Sequence, residues 1–415
     1  MWDTLILLIT CMNLFLCNRD TVSIVDNTKY SVARDTRFLI YDVNHGEGFN
    51  LRRDVYMRIA NTVRLLREAG EPFVLVLPPW GALYHWQRQE VKLKWSVFFD
   101  VENLNEFVPV MEFETFVQEQ SNIVEQVVYL QPYKEGWSGE YVLKYDHRDC
   151  IDGSRFYKFE NNAWRGWFFS YENIRAKKFE CLSLQGDSDT LKKVILEEYP
   201  GRASIFIDRA ETILHQHYGD VHYWEARRSM RYARYLIEAG NLFRMTELSS
   251  SDEKDRTELP SSFRDERPRR DALGGDYVCA HWRRKDFLRA HGKELPSIKE
   301  TARKLNELCT QTGVSRLFLA TDASTSEIEQ LSSLLRFPVV RFRSDELADG
   351  AVAIVDQWIC AHARFFIGSH ASTFSYRIQE DREILGFLPK TTFNRFCPDQ
   401  VSDCEQPAKW TILYA

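Results

Sequence analysis

Tyr277-Val278-Cys279-Ala280-His281-Trp282-Arg283-Arg284-Lys285-Asp286-Phe287 is the stretch on which the fold turns. Its first half is a short apolar run behind the turn Gly274-Gly275, and it reads as a buried strand over 276–281. Its second half sets three cations directly past that strand. A strand covered on both faces belongs to a parallel sheet, and open parallel sheets bind ligands beyond the carboxyl ends of their strands. Cations there suit a phosphate or diphosphate, and the forked guanidinium of Arg suits it best. Arg283 stands nearest the strand end. For Arg284 and Lys285, plain solvent exposure is an open alternative.

Downstream the order of elements is clear. The pattern predicts a helix over 296–310, a strand over 315–320 leading into Thr321-Asp322-Ala323, and a helix over 326–335. A short strand at 339–342, a helix over 350–361, a strand at 365–368 and a helix from Ser372 follow. Such alternation is α/β with a mostly parallel sheet. Upstream, a strand over 37–43 runs into the loop Asn44–Asn50. A helix over 53–69 carries Val55, Ile59 and Val63 on one face, and a strand fills 73–77. Further strands are expected at 124–130 and 203–207, a helix at 191–199, and one long amphipathic helix over 223–243. Residues 249–270 are rich in Ser, Asp, Glu, Arg and Pro, which predicts a mobile surface loop or linker.

With 415 residues the chain exceeds what one core usually holds, so two domains are expected. Net charge is -6, from 54 Lys+Arg against 60 Asp+Glu, and no basic tract occurs. That excludes a nucleic-acid surface and makes any phosphate chemistry local. The apolar run Leu5–Leu16 fits a signal peptide over 1–20 better than a membrane span, with an uncleaved anchor as the open alternative. No later stretch is long and apolar enough for a membrane span. Of nine cysteines, Cys11 and Cys17 fall in that segment. The remaining odd number leaves at least one free thiol. Cys150 and Cys181 are candidates for a pair, and Cys397 and Cys404 for a small closed loop. Cys279 and Cys360 lie in apolar patterns and read as buried thiols.

Several residue sets invite chemistry. Glu47 lies between Gly46 and Gly48 just past the first strand, held towards a substrate or merely solvated in a turn. Gly368-Ser369-His370-Ala371-Ser372-Thr373-Phe374-Ser375 takes a strand into a helix through small hydroxyls. Free amides at such a helix start bind phosphate; ordinary capping is the other reading. Asp356 interrupts an otherwise apolar helix and needs partners: a base N–H, or Arg364 or Arg377 in a structural network. His281, Asp322 and His370 with a serine would make a hydrolytic set, but no nucleophile elbow is present. Trp164-Arg165-Gly166-Trp167-Phe168-Phe169, with His85 and Trp86, gives the first half an aromatic face suited to a groove or a core. Neither a Walker loop nor a dinucleotide glycine fingerprint occurs.

Taken in order, these motifs resemble the protein O-fucosyltransferase 2 family, which modifies thrombospondin type 1 repeats. The resemblance rests on Tyr41-Asp-Val-Asn-His-Gly-Glu-Gly-Phe-Asn50, Leu77-Pro-Pro-Trp-Gly81, Tyr84-His-Trp-Gln87, Arg165-Gly-Trp-Phe168, Arg227-Arg-Ser-Met230, His281–Phe287, Asp356–Gly368 and Ser372-Thr-Phe-Ser375. It runs from about Arg37 to Trp410. His45 stands where the family pattern has Pro, and Trp282 where it has Leu.

The resemblance implies a GT-B fold, with two Rossmann-like α/β domains facing an interdomain cleft. Their expected bounds are 21–247 for an acceptor-side domain, 248–271 for the linker, and 272–415 for a GDP-fucose-binding domain with a tail packing back. It implies inverting, metal-independent transfer of fucose from GDP-fucose to Ser or Thr of a folded repeat, in the lumen of the endoplasmic reticulum. Glu47 is the implied base, and Arg283 the implied grip on the β-phosphate. Gly46, Gly48, Phe49, Asn50 and His281 are implied around the donor. Asp356 is implied on the guanine, and Ser372, Thr373 and Phe374 on the phosphates and nucleoside. Pairing of Cys150 with Cys181 and of Cys397 with Cys404 also fits the family. No cofactor and no metal are implied.

Overall fold

The computed structural model describes residues 35–415 except 82, 84, 85, 87–90, 137–140, 402–403 and 407–409. The expected signal segment, with Cys11 and Cys17, lies outside the described residues, as do Tyr84, His85 and Gln87. Two sheets organise the rest. The first joins β1 (Arg37–Tyr41), β2 (Phe73–Leu77), β3 (Val110–Glu112), β4 (Ile123–Gln131), β5 (Lys144–His147), β6 (Lys158–Glu160), β7 (Ala163–Arg165), β8 (Arg175–Asp187), β9 (Ser204–Asp208) and β10 (Ile213–Leu214). Its order is β3-β2-β1-β9-β4-β8-β7-β6, parallel from β3 to β8. The second joins β11 (Gly275–Trp282), β12 (Arg316–Thr321), β13 (Val339–Val340), β14 (Ala363–Gly368) and β15 (Asn394–Arg395) in the order β13-β12-β11-β14-β15, all parallel.

β1 and β11 sit inside their sheets and are buried along nearly their whole length, as their unbroken apolar runs require. Helix α1 (Phe49–Glu68) packs Val55, Tyr56, Ile59, Val63 and Leu66 against the first sheet. Each such burial is worth about 1.5–3 kcal/mol. The expected start of this helix was Arg53. It begins four residues earlier, with Gly48 as its N-cap, which puts Asn50 in its first turn.

The remaining long helices are α2 (Ser188–Glu198), α3 (Val221–Ser229), α4 (Arg234–Leu248), α5 (Ile298–Thr312), α6 (Thr325–Leu334), α7 (Asp349–Ala361) and α8 (Thr373–Leu385). Side-chain caps start many of them: Asp187 for α2, Asp220 for α3, Ser297 for α5, and a Ser324/Glu327 capping box for α6. The single helix expected over 223–243 is two. The chain breaks at Met230–Ala233, where Tyr232 bridges to Phe99 and Ala233 N–H reaches Phe98 O. The stretch 249–270 contains little regular structure, yet it is fastened down. Arg244 pairs with Asp252 and Asp255, and Phe263 is buried. Its polar composition hid that these charges are spent on the body of the protein.

Cysteine pairing follows expectation at Cys150–Cys181 and Cys397–Cys404. Cys279 and Cys360 are not thiols: they form a third disulfide, joining β11 to α7 with Cα atoms 5.1 Å apart. Among the described residues Cys309 is the free cysteine, and it is buried.

A seam of buried charge ties the two sheets' helices together. Arg227 of α3 pairs with Glu380 and Asp381 of α8. Arg377 of α8 pairs with Glu380 and with Asp54 of α1. Tyr223 and Tyr232 donate to the same two acids of α8, Glu380 and Asp381.

Candidate active site

The loop after β1 is clamped from beneath. Arg52, buried in α1, donates to the carbonyls of Glu47, Asn44 and Val43 at 3.2, 3.4 and 3.5 Å. Glu211 Oε2 accepts from the Asn44 N–H at 3.0 Å, and the Glu47 N–H closes a turn onto Asn44 O at 2.9 Å. Gly46 and Gly48 are not needed for a left-handed backbone: neither has positive φ, and Gly48 is extended at φ -80. A Cβ at Gly46 would meet nothing within 4 Å, so the loop is open on that side. The Glu47 side chain is half-buried and no side chain among the described residues hydrogen-bonds its carboxylate. Burial, then the nearby Glu211, push that carboxyl up, while Arg52 and Arg209 pull it down. A carboxylate so tuned is suited to accept a proton. Below it, burial pushes Asp42 up to about 7 and Asp208 to about 6.

Asn50 faces the second sheet. Its Oδ1 accepts from Gln357 Nε2 at 2.9 Å and from Arg53 at 3.2 Å, and Gln357 also lies 3.4 Å from Phe374 O. The Phe374 ring stacks on His281 with centroids 4.3 Å apart and 22° between planes. His281 Nδ1 shares a 2.8 Å bond with Ser375 Oγ. Burial, with Arg283 adding to it, pushes His281 down to about 3, so the ring is neutral. Ser369 Oγ donates to His281 O and accepts from Arg283 N–H, both at 2.9 Å. One chain of contacts thus runs from Asn50 through Gln357, Phe374, His281 and Ser369 to Arg283.

Asp322 and Asp286 hold the Arg283 guanidinium. Asp322 therefore serves the arginine, and His370 is engaged with Arg395, so no hydrolytic set with His281 exists. Arg284 is not solvated: it is buried, pairs with Glu327 at 2.9 Å and lies over the Trp282 ring, while Lys285 is exposed. Ser372 is the N-cap of α8 but makes no side-chain cap. The amides of Thr373, Phe374 and Ser375 open the helix with no acidic residue in its first turn, an arrangement that favours an anion.

Asp356 departs from the structural-network reading. Arg377 pairs with Asp54 and Glu380, and Arg364 with Asp276. Asp356 Oδ1 is buried with no partner, and burial pushes the carboxyl up to about 8. The aromatic face divides: Phe168 and Phe169 are core, whereas Trp167 is 45% exposed and meets His45 edge-on at 5.8 Å. Among the described residues no group of three or more His, Cys, Asp or Glu could hold a metal ion.

Gln357 and Glu211 join the site without having been singled out, Ser369 and Ser375 enter through the hydroxyl run, and Arg52, expected only to cap or solvate the helix start, holds the loop instead. Only the hydroxyls of the 368–375 run gave a sequence signal; an amide beside Asp356 and an acid 164 residues from Glu47 gave none.

Two α/β sheets, each carrying candidate residues beyond the carboxyl ends of its parallel strands, make up the two-sheet GT-B architecture of glycosyltransferases. The chain belongs to the GDP-fucose protein O-fucosyltransferase family, whose model matches residues 38–385. It is 53% identical over 400 residues to GDP-fucose protein O-fucosyltransferase 2 of Caenorhabditis elegans, covering 95% of this chain and 94% of the relative. Identity to the human protein of that name is 47% over 393 residues, covering 92% and 91%. The fold is similar to that of POFUT1 in complex with GDP-fucose, with a TM-score of 0.58 at 14% identity over 88% of this chain and 99% of that one. The chain is an enzyme that transfers fucose from GDP-fucose to a protein.

Proposed function

We propose that the acceptor is a Ser or Thr hydroxyl of a folded thrombospondin type 1 repeat and that transfer inverts the anomeric centre. The hydroxyl oxygen attacks the anomeric carbon as Glu47 takes its proton. The bond from that carbon to the β-phosphate oxygen breaks, and its electron pair leaves with GDP. Charge grows on the diphosphate, where Arg283 and the amides of Thr373 and Phe374 stabilise it. Asp356 accepts from the guanine. Asn50 and Phe374 hold the nucleotide beside His281. Residues 21–247 then form the acceptor side and 272–415 the donor side. The three disulfides support folding in the lumen of the endoplasmic reticulum.

The observation that carries this reading is the run of contacts from Asn50 to Arg283, which links the loop of Glu47 to the strand end of Arg283. The test is mass spectrometry of a folded repeat incubated with GDP-fucose, expected to gain one deoxyhexose. Glu47→Gln should keep GDP binding and lose about 10²-fold or more in turnover. Arg283→Ala should lower the rate at saturating donor. Transfer to a free glycan alone, binding of the repeat without transfer, or full turnover in Glu47→Gln would overturn the reading.

A further inference from the structure

Two buried polar atoms near the donor residues have no hydrogen-bond partner among the described residues. One is Asp356 Oδ1 on α7; the other is Nε of Arg341. Arg341 directly follows β13, the edge strand beside β12, and so stands at the carboxyl end of the second sheet. Its Nη2 touches Thr321 O at 3.4 Å, where β12 ends next to Asp322, the partner of Arg283. Each of the two charges acts on the other's titration, yet no ion pair closes between them. A buried carboxyl and a guanidinium that influence each other yet stay unjoined are costly unless a ligand completes them.

Guanine completes them. Its N1–H and N2–H₂ are two parallel donors, which a carboxylate accepts side by side. The neighbouring O6 is an acceptor and needs a cation or N–H beside that carboxylate; Arg is the usual donor to guanine O6. Adenine would turn a lone pair towards the acid and an amino group towards the arginine, leaving both protein groups unsatisfied.

We propose that Arg341 donates to O6 of the guanine of GDP-fucose, so that Arg341 and Asp356 together select the base. This rests on the reading of Asp356 given above. The tests are calorimetric titrations of the full chain with GDP, with inosine diphosphate and with 2-aminopurine riboside diphosphate. Inosine keeps O6 and N1–H but lacks the 2-amino group. 2-Aminopurine keeps the amino group but lacks O6 and N1–H.

Arg341→Met should weaken GDP and inosine diphosphate by about tenfold each and leave 2-aminopurine riboside diphosphate unchanged. Arg341→Lys, with one cation kept, should recover part of that loss, and circular dichroism of both variants should match the parent. An equal loss with all three nucleotides, or no loss with any, overturns the proposal. A fold lost in both variants overturns it too, because the arginine is then structural. Asp356→Asn is the separate check: it should weaken GDP more than inosine diphosphate. If it binds GDP as the parent does, the reading of Asp356 fails, whereas the Arg341 result stands or falls on its own pattern.

Discussion

The seam between α1, α3 and α8 and the recess of Asp356 and Arg341 both bury charge, and they treat it in opposite ways. In the seam all six carboxylate oxygens of Asp54, Glu380 and Asp381 have a partner. In the recess the acid keeps an open oxygen; an unpartnered guanidinium nitrogen occurs in both places, on Arg341 here and on Arg377 in the seam, so the contrast lies in the acids. A protein gains nothing in stability from the second arrangement, so the contrast separates charge that holds the lobes together from charge kept for a ligand.

Breaking the seam should produce the largest effect. Arg227→Met leaves buried Asp381 with Tyr232 as its remaining donor and Glu380 with Arg377 and Tyr223, and should cost about 3–5 kcal/mol in urea denaturation. The same experiment on the recess should change sign. Asp356 has a folded value of about 8, raised from 3.8. Its stability contribution is therefore best below about 4 and is lost as pH rises through about 8. Asp356→Asn should match the parent near pH 4 and exceed it by about 1 kcal/mol at pH 8, while weakening GDP. A variant less stable than the parent at pH 8 would erase the contrast.

The open carboxyl also titrates. Guanine N–H groups favour the ionised acid, so GDP affinity should rise with pH up to about 8 and then level, by about tenfold per pH unit at most. Arg341 is the charge facing Asp356, and Arg343 faces Arg341 in turn. Calorimetry between pH 6 and pH 9 measures the slope, and Asp356→Asn should flatten it.

A third set of charges lies between the extremes, under Glu47. Glu211→Gln can still accept from the Asn44 N–H but removes a negative charge that pushes Glu47 up. The acid limb of the kcat/KM profile should move to lower pH by about a few tenths of a unit. No movement would make Glu211 a purely mechanical support of the loop.

The sequence carried the second sheet well, because each strand is an apolar run bounded by turns and each helix repeats at 3–4 residues. It also carried the start of α8 and drew attention to Glu47 and Arg283 as candidates, since these sit where an apolar strand abruptly gives way to charge or small hydroxyls. The 13-residue β8 escaped notice because Lys177, Lys178, Gln185 and Asp187 interrupt its pattern on a half-exposed strand. Gln357 and Arg341 escaped for another reason. What marks them is the absence of a partner, or a partner some 300 residues away, and neither is written locally. Cys279 and Cys360 looked like buried thiols because a buried disulfide has the same apolar neighbours.

That disulfide has a practical consequence. It yokes the strand that ends in His281 and Arg283 to the helix that bears Asp356 and Gln357. If Arg283 grips the diphosphate and Asp356 reads the base, as proposed above, a covalent bond inside the second sheet's core sets the span between those two tasks. Material made in a reducing host would lack that yoke, and its nucleotide selectivity would suffer along with its yield.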